Sequence, residues 1–111
     1  AYLKGRYHWN KRTQQGIEKG IEYFEEAISI DPDYAQAYAG LAEAFAILAD
    51  WGYYPPWEAN QKVMDFAQRA LAIEDESAAA YSVLAKELYE IDFNWEVAEE
   101  YFQKAIELNP N

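Results

Sequence analysis

The sequence predicts an all-α fold, an α-solenoid built from three antiparallel helix pairs. One observation is an internal repeat: residues 23–32 return at residues 101–110 with Tyr, Phe, Ala, Ile and Pro in the same order, 78 positions later. A weaker copy at residues 65–75 keeps an Ala-Leu-x-Ile core at an offset of 43. Another observation is that apolar residues recur at helical spacing, whereas no segment alternates as a β-strand does. Three copies of a unit in a short chain indicate a stacked array.

Length and composition are those of one domain that folds without metals or crosslinks. The chain has 111 residues, 51% of them hydrophobic, and no cysteine, which excludes disulfides, thiolate zinc sites and a cysteine nucleophile. Nothing resembles a signal peptide or a membrane-spanning run, so we predict a cytoplasmic protein that does not bind membranes. We expect units at residues 1–34, 35–77 and 78–111. The missing initial Met and the start partway into a helix suggest a piece of a longer protein.

The net charge of −11 is unevenly distributed along the chain. Residues 1–19 carry five basic and one acidic side chain, a balance of +4, and residues 20–111 carry four basic and 19 acidic ones, a balance of −15. An acidic body repels phosphate backbones, so we expect no nucleic-acid partner. The basic first helix would attract acidic partners or the acidic end of another copy, unless it is only a solvated polar face.

In the first unit, we expect an atypical first helix over residues 1–13 and a second helix that ends before Pro32. Thr13 is placed to cap the second helix, because a Thr hydroxyl can accept an orphan backbone amide. The buried stripe of that helix is predicted from its i, i+4, i+7 and i+11 spacing. It comprises Ile17, Ile21, Phe24 and Ile28.

In the second unit, a helix over residues 34–49 is followed by a break at residues 50–56 and a helix from Pro56 to about residue 73. Proline suits a first helical position because its missing N–H would have no partner there. The first of these helices repeats an apolar spacing of i, i+3, i+7 and i+10. The residues in this stripe are Tyr38, Leu41, Phe45 and Leu48.

In the third unit, Ser77 and Asn94 are predicted caps of helices over residues 77–91 and 95–108. The first helix repeats the spacing of the second unit with Tyr81, Leu84, Leu88 and Ile91. The buried stripe of the last helix is predicted to comprise Ala98, Phe102, Ala105 and Ile106.

These units resemble the tetratricopeptide repeat (TPR) family, in which large residues on one helix enter spaces beside small ones on the next. The first-helix positions of the family's pattern are matched by Tyr38, Leu41, Ala42 and Phe45, and again by Tyr81, Leu84, Ala85 and Leu88. The second-helix positions are matched by Gly20, Phe24, Ala27 and Pro32, and again by Ala98, Phe102, Ala105 and Pro110. The resemblance implies a right-handed superhelix with a concave groove for extended or helical peptides.

The chain departs from the family's pattern in its first helix and its second unit. That unit runs over 43 residues, because of the insertion at residues 51–56, and has Asp75 where a proline is expected. It also has Ala67 where an aromatic residue belongs, with Phe66 as the candidate replacement. The stretch at residues 4–12 is similar to TPR regions appended to bacterial signalling and regulatory proteins, including cyclases, kinases and winged-helix regulators.

The resemblance places a peptide-binding groove on the inner faces of the first helices. Its candidate residues are Gln36, Ala39, Glu43, Ala46, Ala79, Ser82, Lys86 and Tyr89. The alternative is that these are ordinary exposed residues. Only Lys86 among them is basic, and Glu43 would oppose an anion, so we expect no capture of a C-terminal carboxylate.

A second candidate surface is the aromatic insertion between the helices of the second unit. Its rings are Trp51, Tyr53, Tyr54 and Trp57, with Pro55 and Pro56 among them. Either the rings fold back and cover the gap beside Ala67, or they form an exposed platform for a proline-rich or apolar peptide.

The sequence offers no catalytic, metal or cofactor site. His8 is the only histidine, and adjacent glutamates diverge by about 100° on a helix, so neither marks a reaction centre. We therefore predict a non-catalytic module that binds a protein or peptide in its groove. The alternative is self-association through the repeat ends, where Trp95, Phe102 and Ile106 lack a covering helix.

Overall fold

A computed structural model describes residues 2–9, 11, 13–90 and 93–109 of the chain, and these form six α-helices joined by turns. The helices are α1 (Tyr2–Trp9), α2 (Gln14–Ile30), α3 (Ala35–Asp50), α4 (Pro56–Ile73), α5 (Ala78–Glu90) and α6 (Trp95–Leu108). No strand occurs in these ranges. The all-α prediction is confirmed.

Each odd-numbered helix packs against the helix that follows it, and successive pairs stack on one another. The pairs are α1 with α2, α3 with α4, and α5 with α6, while α2 contacts α3 and α4 contacts α5. The first helices also contact their counterparts, α1 with α3 and α3 with α5, so they form one side of the stack. This arrangement is the predicted solenoid of three helix pairs.

The prediction of a first helix over residues 1–13 was too long, since α1 ends at Trp9. The backbone of Thr13 is extended, and its Oγ1 accepts a hydrogen bond from the Gly16 N–H at 2.9 Å, as the cap prediction required. Because the cap of α2 needs an extended residue at this point, α1 cannot continue to it.

The first two units meet around Phe24, which is fully buried between two glycines from different helices. A methyl group on Gly5 of α1 would lie 2.7 Å from the ring, and one on Gly40 of α3 would lie 2.8 Å from it. Ordinary carbon contacts are about 3.5–4.0 Å, so only glycine allows the two backbones to approach the ring this closely.

The second and third units share a core built largely from small and branched residues. Val63, Ala67 and Ala70 of α4 are fully buried there, together with Ala80 of α5. Phe66 occupies the space that the missing aromatic at Ala67 leaves: its ring centroid lies 6.0 Å from that of Phe45 and 6.3 Å from that of Tyr38.

Two predictions about α6 and its cap were wrong. Asn94 precedes the helix, but its side chain makes no capping hydrogen bond. Ala98 is buried and Ala105 half-buried, whereas Phe102 is 38% exposed and Ile106 is 56% exposed, because no further helix packs on that side of α6 in the described chain. The predicted positions Ile91 and Pro110 lie outside the described residues.

None of the six described helices is both long enough and apolar enough to cross a membrane.

Candidate functional site

The three first helices, α1, α3 and α5, line an open concave face that contains two depressions of about 400 Å³ each. We refer to this face as the groove. The lining of one depression includes Tyr2, Arg6, Gln36, Ala39 and Ala79. The lining of the other includes Glu43, Ala46, Ser82, Val83, Lys86, Glu90 and Phe102.

Seven of the eight predicted groove residues lie on these linings, and Tyr89 does not. Ala39 and Ala46 are buried and form the floor, because each packs into the core between the second and third units. Gln36 and Ser82 are exposed and stand at the walls. A bound segment would therefore contact small apolar groups below and polar groups at the sides.

Arg6 of α1 is a groove residue that sequence reasoning missed. Its Nη2 lies 2.9 Å from Glu43 Oε1, and its guanidinium lies 5.2 Å from the ring centre of Trp9. Burial lowers the pKa of Arg6, but the charge of Glu43 and hydrogen bonds with Tyr2 and Glu43 outweigh this effect, so the pKa is raised overall. The positive charge of Arg6 therefore offsets the negative charge of Glu43 in the groove. Because α1 does not match the repeat pattern, the sequence did not indicate which residue of α3 Arg6 would contact.

Lys86 is likewise paired, through a contact between its Nζ and Asp50 Oδ2 at the C-terminal end of α3. Lys86, the one basic residue among the eight candidates, is therefore engaged by a carboxylate of the chain itself. With both cations paired, the remaining charges at the rim are carboxylates, among them Glu74, Glu76 and Glu90.

The four rings of the aromatic insertion do not share one environment. Tyr54 folds back onto Phe45, with ring centroids 5.4 Å apart in an edge-to-face arrangement. Trp51, Tyr53 and Trp57 are exposed. Of the two alternatives, rings folded back on the core describe Tyr54, while the exposure of the other three fits the platform, whose role in binding stays a prediction.

His8 of α1 packs against α2. Its ring stacks on Tyr23 with a centroid separation of 5.4 Å. Partial burial, followed by the charges of Lys11 and Lys19, lowers the pKa of His8. In the part of the chain that the structure describes, no three histidine, aspartate or glutamate side chains are grouped so as to hold a metal ion.

The sequence is similar to part of a bacterial transcriptional regulator. Over 84 residues, 76% of this chain, it is 22% identical to the transcriptional regulator HilA of Salmonella typhimurium, and equally to that of Salmonella typhi. HilA of Salmonella paratyphi A is 20% identical over the same length. The aligned region spans only 15% of the length of these regulators.

A family model described as tetratricopeptide repeat matches residues 2–34 and 78–111, which together make up more than half of the chain. The matched segments contain the first and third helix pairs. Repeats of this family generally mediate protein–protein interactions and are typically non-catalytic scaffolds. By its sequence repeat and its stack of helix pairs, the chain belongs to the tetratricopeptide repeat family.

Proposed function

We propose that this chain is a protein–protein interaction module whose groove binds an extended or helical segment of a partner protein, without catalysis. The observation that carries the proposal is the continuous face formed by α1, α3 and α5, with seven of the predicted residues on its linings. The similarity to part of HilA supports a place for the module in a bacterial regulatory protein. We also propose that its units span residues 1–34, 35–77 and 78–111.

The chemistry of the groove favours a segment with apolar side chains and basic neighbours. Ala46, Val83 and Phe102 give one depression an apolar floor and wall. Arg6 and Glu43 are paired with each other, so a bound segment would not bury either charge without a partner. The acidic rim then complements basic residues at the ends of the segment.

The test is affinity capture from a bacterial lysate, with a bait that carries Ser82→Arg beside the wild-type chain. Ser82 is exposed and lies on the wall of the groove, so a large side chain there obstructs the groove without entering the core. Lys86→Glu is less suitable, because the new carboxylate would face Asp50 and disturb the junction of α3 and α5.

The matched control is Gln68→Arg, which adds the same side chain at an exposed position of α4 outside the groove linings. A prey protein that is retained by wild type and Gln68→Arg but lost by Ser82→Arg supports groove binding. Its segment is then synthesised and titrated directly against all three proteins. Equal recovery with Ser82→Arg would contradict the proposal.

A second candidate function is self-association through the two ends of the stack. Phe102 occupies the position in the third unit that Phe24 occupies in the first, 78 residues earlier. Phe24 is fully buried because α3 covers it, whereas Phe102 is partly exposed beside Ile106 on a depression of about 400 Å³ between α5 and α6. This depression adjoins the groove, since Glu43, Ala79 and Ser82 also line it. An apolar helix face of this kind favours contact with another helix.

The opposite end of the stack has complementary features for a second copy. Leu3 and Tyr7 of α1 are exposed there, with Lys4 and Lys11 close to them in sequence. Sedimentation velocity at low and high salt tests the contact, with Phe102→Ser as the disrupting variant and Trp57→Ser, another exposed ring, as its control. Dimers that dissociate with salt and with Phe102→Ser alone would support self-association, and a monomer at every concentration would exclude it.

A further inference from the structure

The first helix, α1, is the shortest of the six described helices and has little structural support of its own. It has eight residues, and an isolated helix shorter than about 12–15 residues is marginal in water. Gly5 near its centre lowers the helix propensity further. The buried residues of α1 are Gly5 and Trp9, whereas Leu3 and Tyr7 are 80% and 63% exposed. The helical form of α1 therefore depends on its contacts with the rest of the fold.

Two side-chain contacts hold α1 against the second unit. Arg6 forms the ion pair with Glu43 of α3, and the two side chains are only 26% and 22% exposed. The ring of Tyr2 stacks on that of Tyr34, which directly precedes α3, with centroids 5.2 Å apart. We call these two contacts the latch. Tyr2 and Arg6 are four residues apart and lie on one face of α1, so both contacts are lost when the helix moves away from α3.

The guanidinium of Arg6 is held in position by residues of α1 itself. Its Nε donates a hydrogen bond to the Tyr2 hydroxyl at 3.0 Å, and the guanidinium lies 5.2 Å from the ring centre of Trp9. These partners belong to α1 and move with it. Opening of the latch therefore withdraws the guanidinium from Glu43 together with the helix.

Opening of the latch would dismantle part of the groove. Tyr2 and Arg6 line one depression and Trp9 lines the other, so each depression loses a wall residue when α1 moves away. Glu43 would then remain without its partner on the second depression. A segment bound there would bury an unpaired carboxylate, which is strongly unfavourable. A docked α1 therefore favours binding in the groove.

We propose that α1 is a displaceable wall of the groove, and that the latch switches the groove between a complete form and an open form with low affinity for a partner segment. This regulation presupposes the groove binding proposed above. Because coupling between two equilibria is reciprocal, a segment that binds the complete groove stabilises docked α1 by the same factor by which docking raises its affinity.

Native-state hydrogen exchange of the chain, labelled with nitrogen-15, tests whether α1 opens by itself. The amides of Tyr7 and Trp9 lie in α1, and that of Ala67 lies in α4, in the core between the second and third units. Elements that open locally exchange faster than elements that exchange only through global unfolding. We expect the protection factors of Tyr7 and Trp9 to be at least about tenfold lower than that of Ala67.

Val63→Ala separates local opening of α1 from global unfolding. Val63 is fully buried in the same core as Ala67, so its truncation destabilises the fold at a site remote from α1. We expect the protection of Ala67 to fall at least about tenfold, while that of Tyr7 and Trp9 stays within about twofold of wild type. An equal fall at all three amides would show that α1 opens only when the whole chain unfolds, and would overturn the inference.

Glu43→Gln tests the latch, because the amide keeps the shape of the side chain and removes its charge. We expect the protection of Tyr7 and Trp9 to fall at least about tenfold, since a hydrogen bond between charged groups is lost. The matched control is Glu22→Gln, which breaks the exposed ion pair with Lys19 on α2 and should change the protection of α1 less than about twofold. Unchanged protection of α1 in Glu43→Gln would overturn the latch.

Tyr34→Ala relates the latch to binding, because Tyr34 holds α1 but lies outside the linings of the two groove depressions. In the capture experiment, this bait should lose the prey that Ser82→Arg loses. The control is Tyr81→Ala, which removes a half-buried ring beside Tyr101 in the third unit and should retain the prey. Full recovery with Tyr34→Ala would overturn the role of α1 in binding. A prey that Ser82→Arg retains would instead contradict groove binding, while hydrogen exchange, which needs no partner, still decides whether α1 opens.

Discussion

Replacing Gly40 by alanine tests whether the ring of Phe24 is held between α1 and α3. The added methyl carbon would lie 2.8 Å from two carbons of the ring, well inside normal contact distance. The ring cannot retreat, because the backbone of Gly5 contacts its other side and a methyl group there would lie at 2.7 Å. Overpacking of this kind costs about 2 kcal/mol.

A gain in helix propensity opposes this cost, since alanine is more favourable than glycine in a helix interior by about 1 kcal/mol. We therefore expect Gly40→Ala to lower the free energy of unfolding by about 1 kcal/mol, or roughly 4 °C in melting temperature. Urea unfolding, followed by circular dichroism, measures the difference. Ser29→Ala, at an exposed position of α2, is the control and should be stabilised by about 0.5 kcal/mol.

A double-mutant cycle with Phe24→Leu identifies the cause. The smaller side chain leaves room for the methyl group, so the two substitutions together should cost about 1 kcal/mol less than the sum of the single effects. Stabilisation by Gly40→Ala alone would refute the reasoning, since it would show that propensity outweighs contact with the ring. Strict additivity would show that the two residues do not compete for the same space.

Three further predictions can be checked by spectroscopy and unfolding. Thr13→Ala should lower the free energy of unfolding by about 1 kcal/mol, whereas Asn94→Ala should change it little, because the Thr13 side chain accepts a capping hydrogen bond and that of Asn94 makes none. Phe24→Ala should cost about 3–5 kcal/mol and Phe102→Ala distinctly less, although both occupy the same repeat position. The imidazole of His8 should titrate below 6.5 in an NMR pH series. Because the folded protein disfavours the charged imidazole, the stability present above pH 6.5 is lost as the pH falls through the folded-state pKa of His8. His8→Gln should therefore reduce the loss of unfolding free energy over this pH range.

Local chemistry explains why the sequence predicted most helix boundaries. Thr13 caps α2, Pro56 begins α4, and α2 ends at Ile30 two residues before Pro32. Caps and proline restrictions act over a few residues and do not require knowledge of the fold. The end of α1 was misplaced because the apolar and aromatic residues of that helix follow no clear stripe. The groove residues were predicted through the repeat register, which α3 and α5 keep.

Contacts between distant residues could not be predicted in this way. Arg6 reaches Glu43 across 37 positions and Lys86 reaches Asp50 across 36, so these pairs depend on how the helices are stacked. Together they pair both cations of the groove, Arg6 and Lys86, with carboxylates of the chain itself. The sequence contained all four charges, but only the packing of α1, α3 and α5 determined which of them meet.

By itself, the sequence determined the helix pairs, the family and the residues that the repeat brings to the groove, because periodic apolar stripes and terminal signals are properties of short segments. The tertiary structure decided which aromatic rings are buried. Phe24 and Phe102 have equivalent places in the repeat, yet only Phe24 is covered, since burial depends on whether another helix lies against the ring. The same dependence leaves Phe93 and Trp95 exposed at the edge of the solenoid.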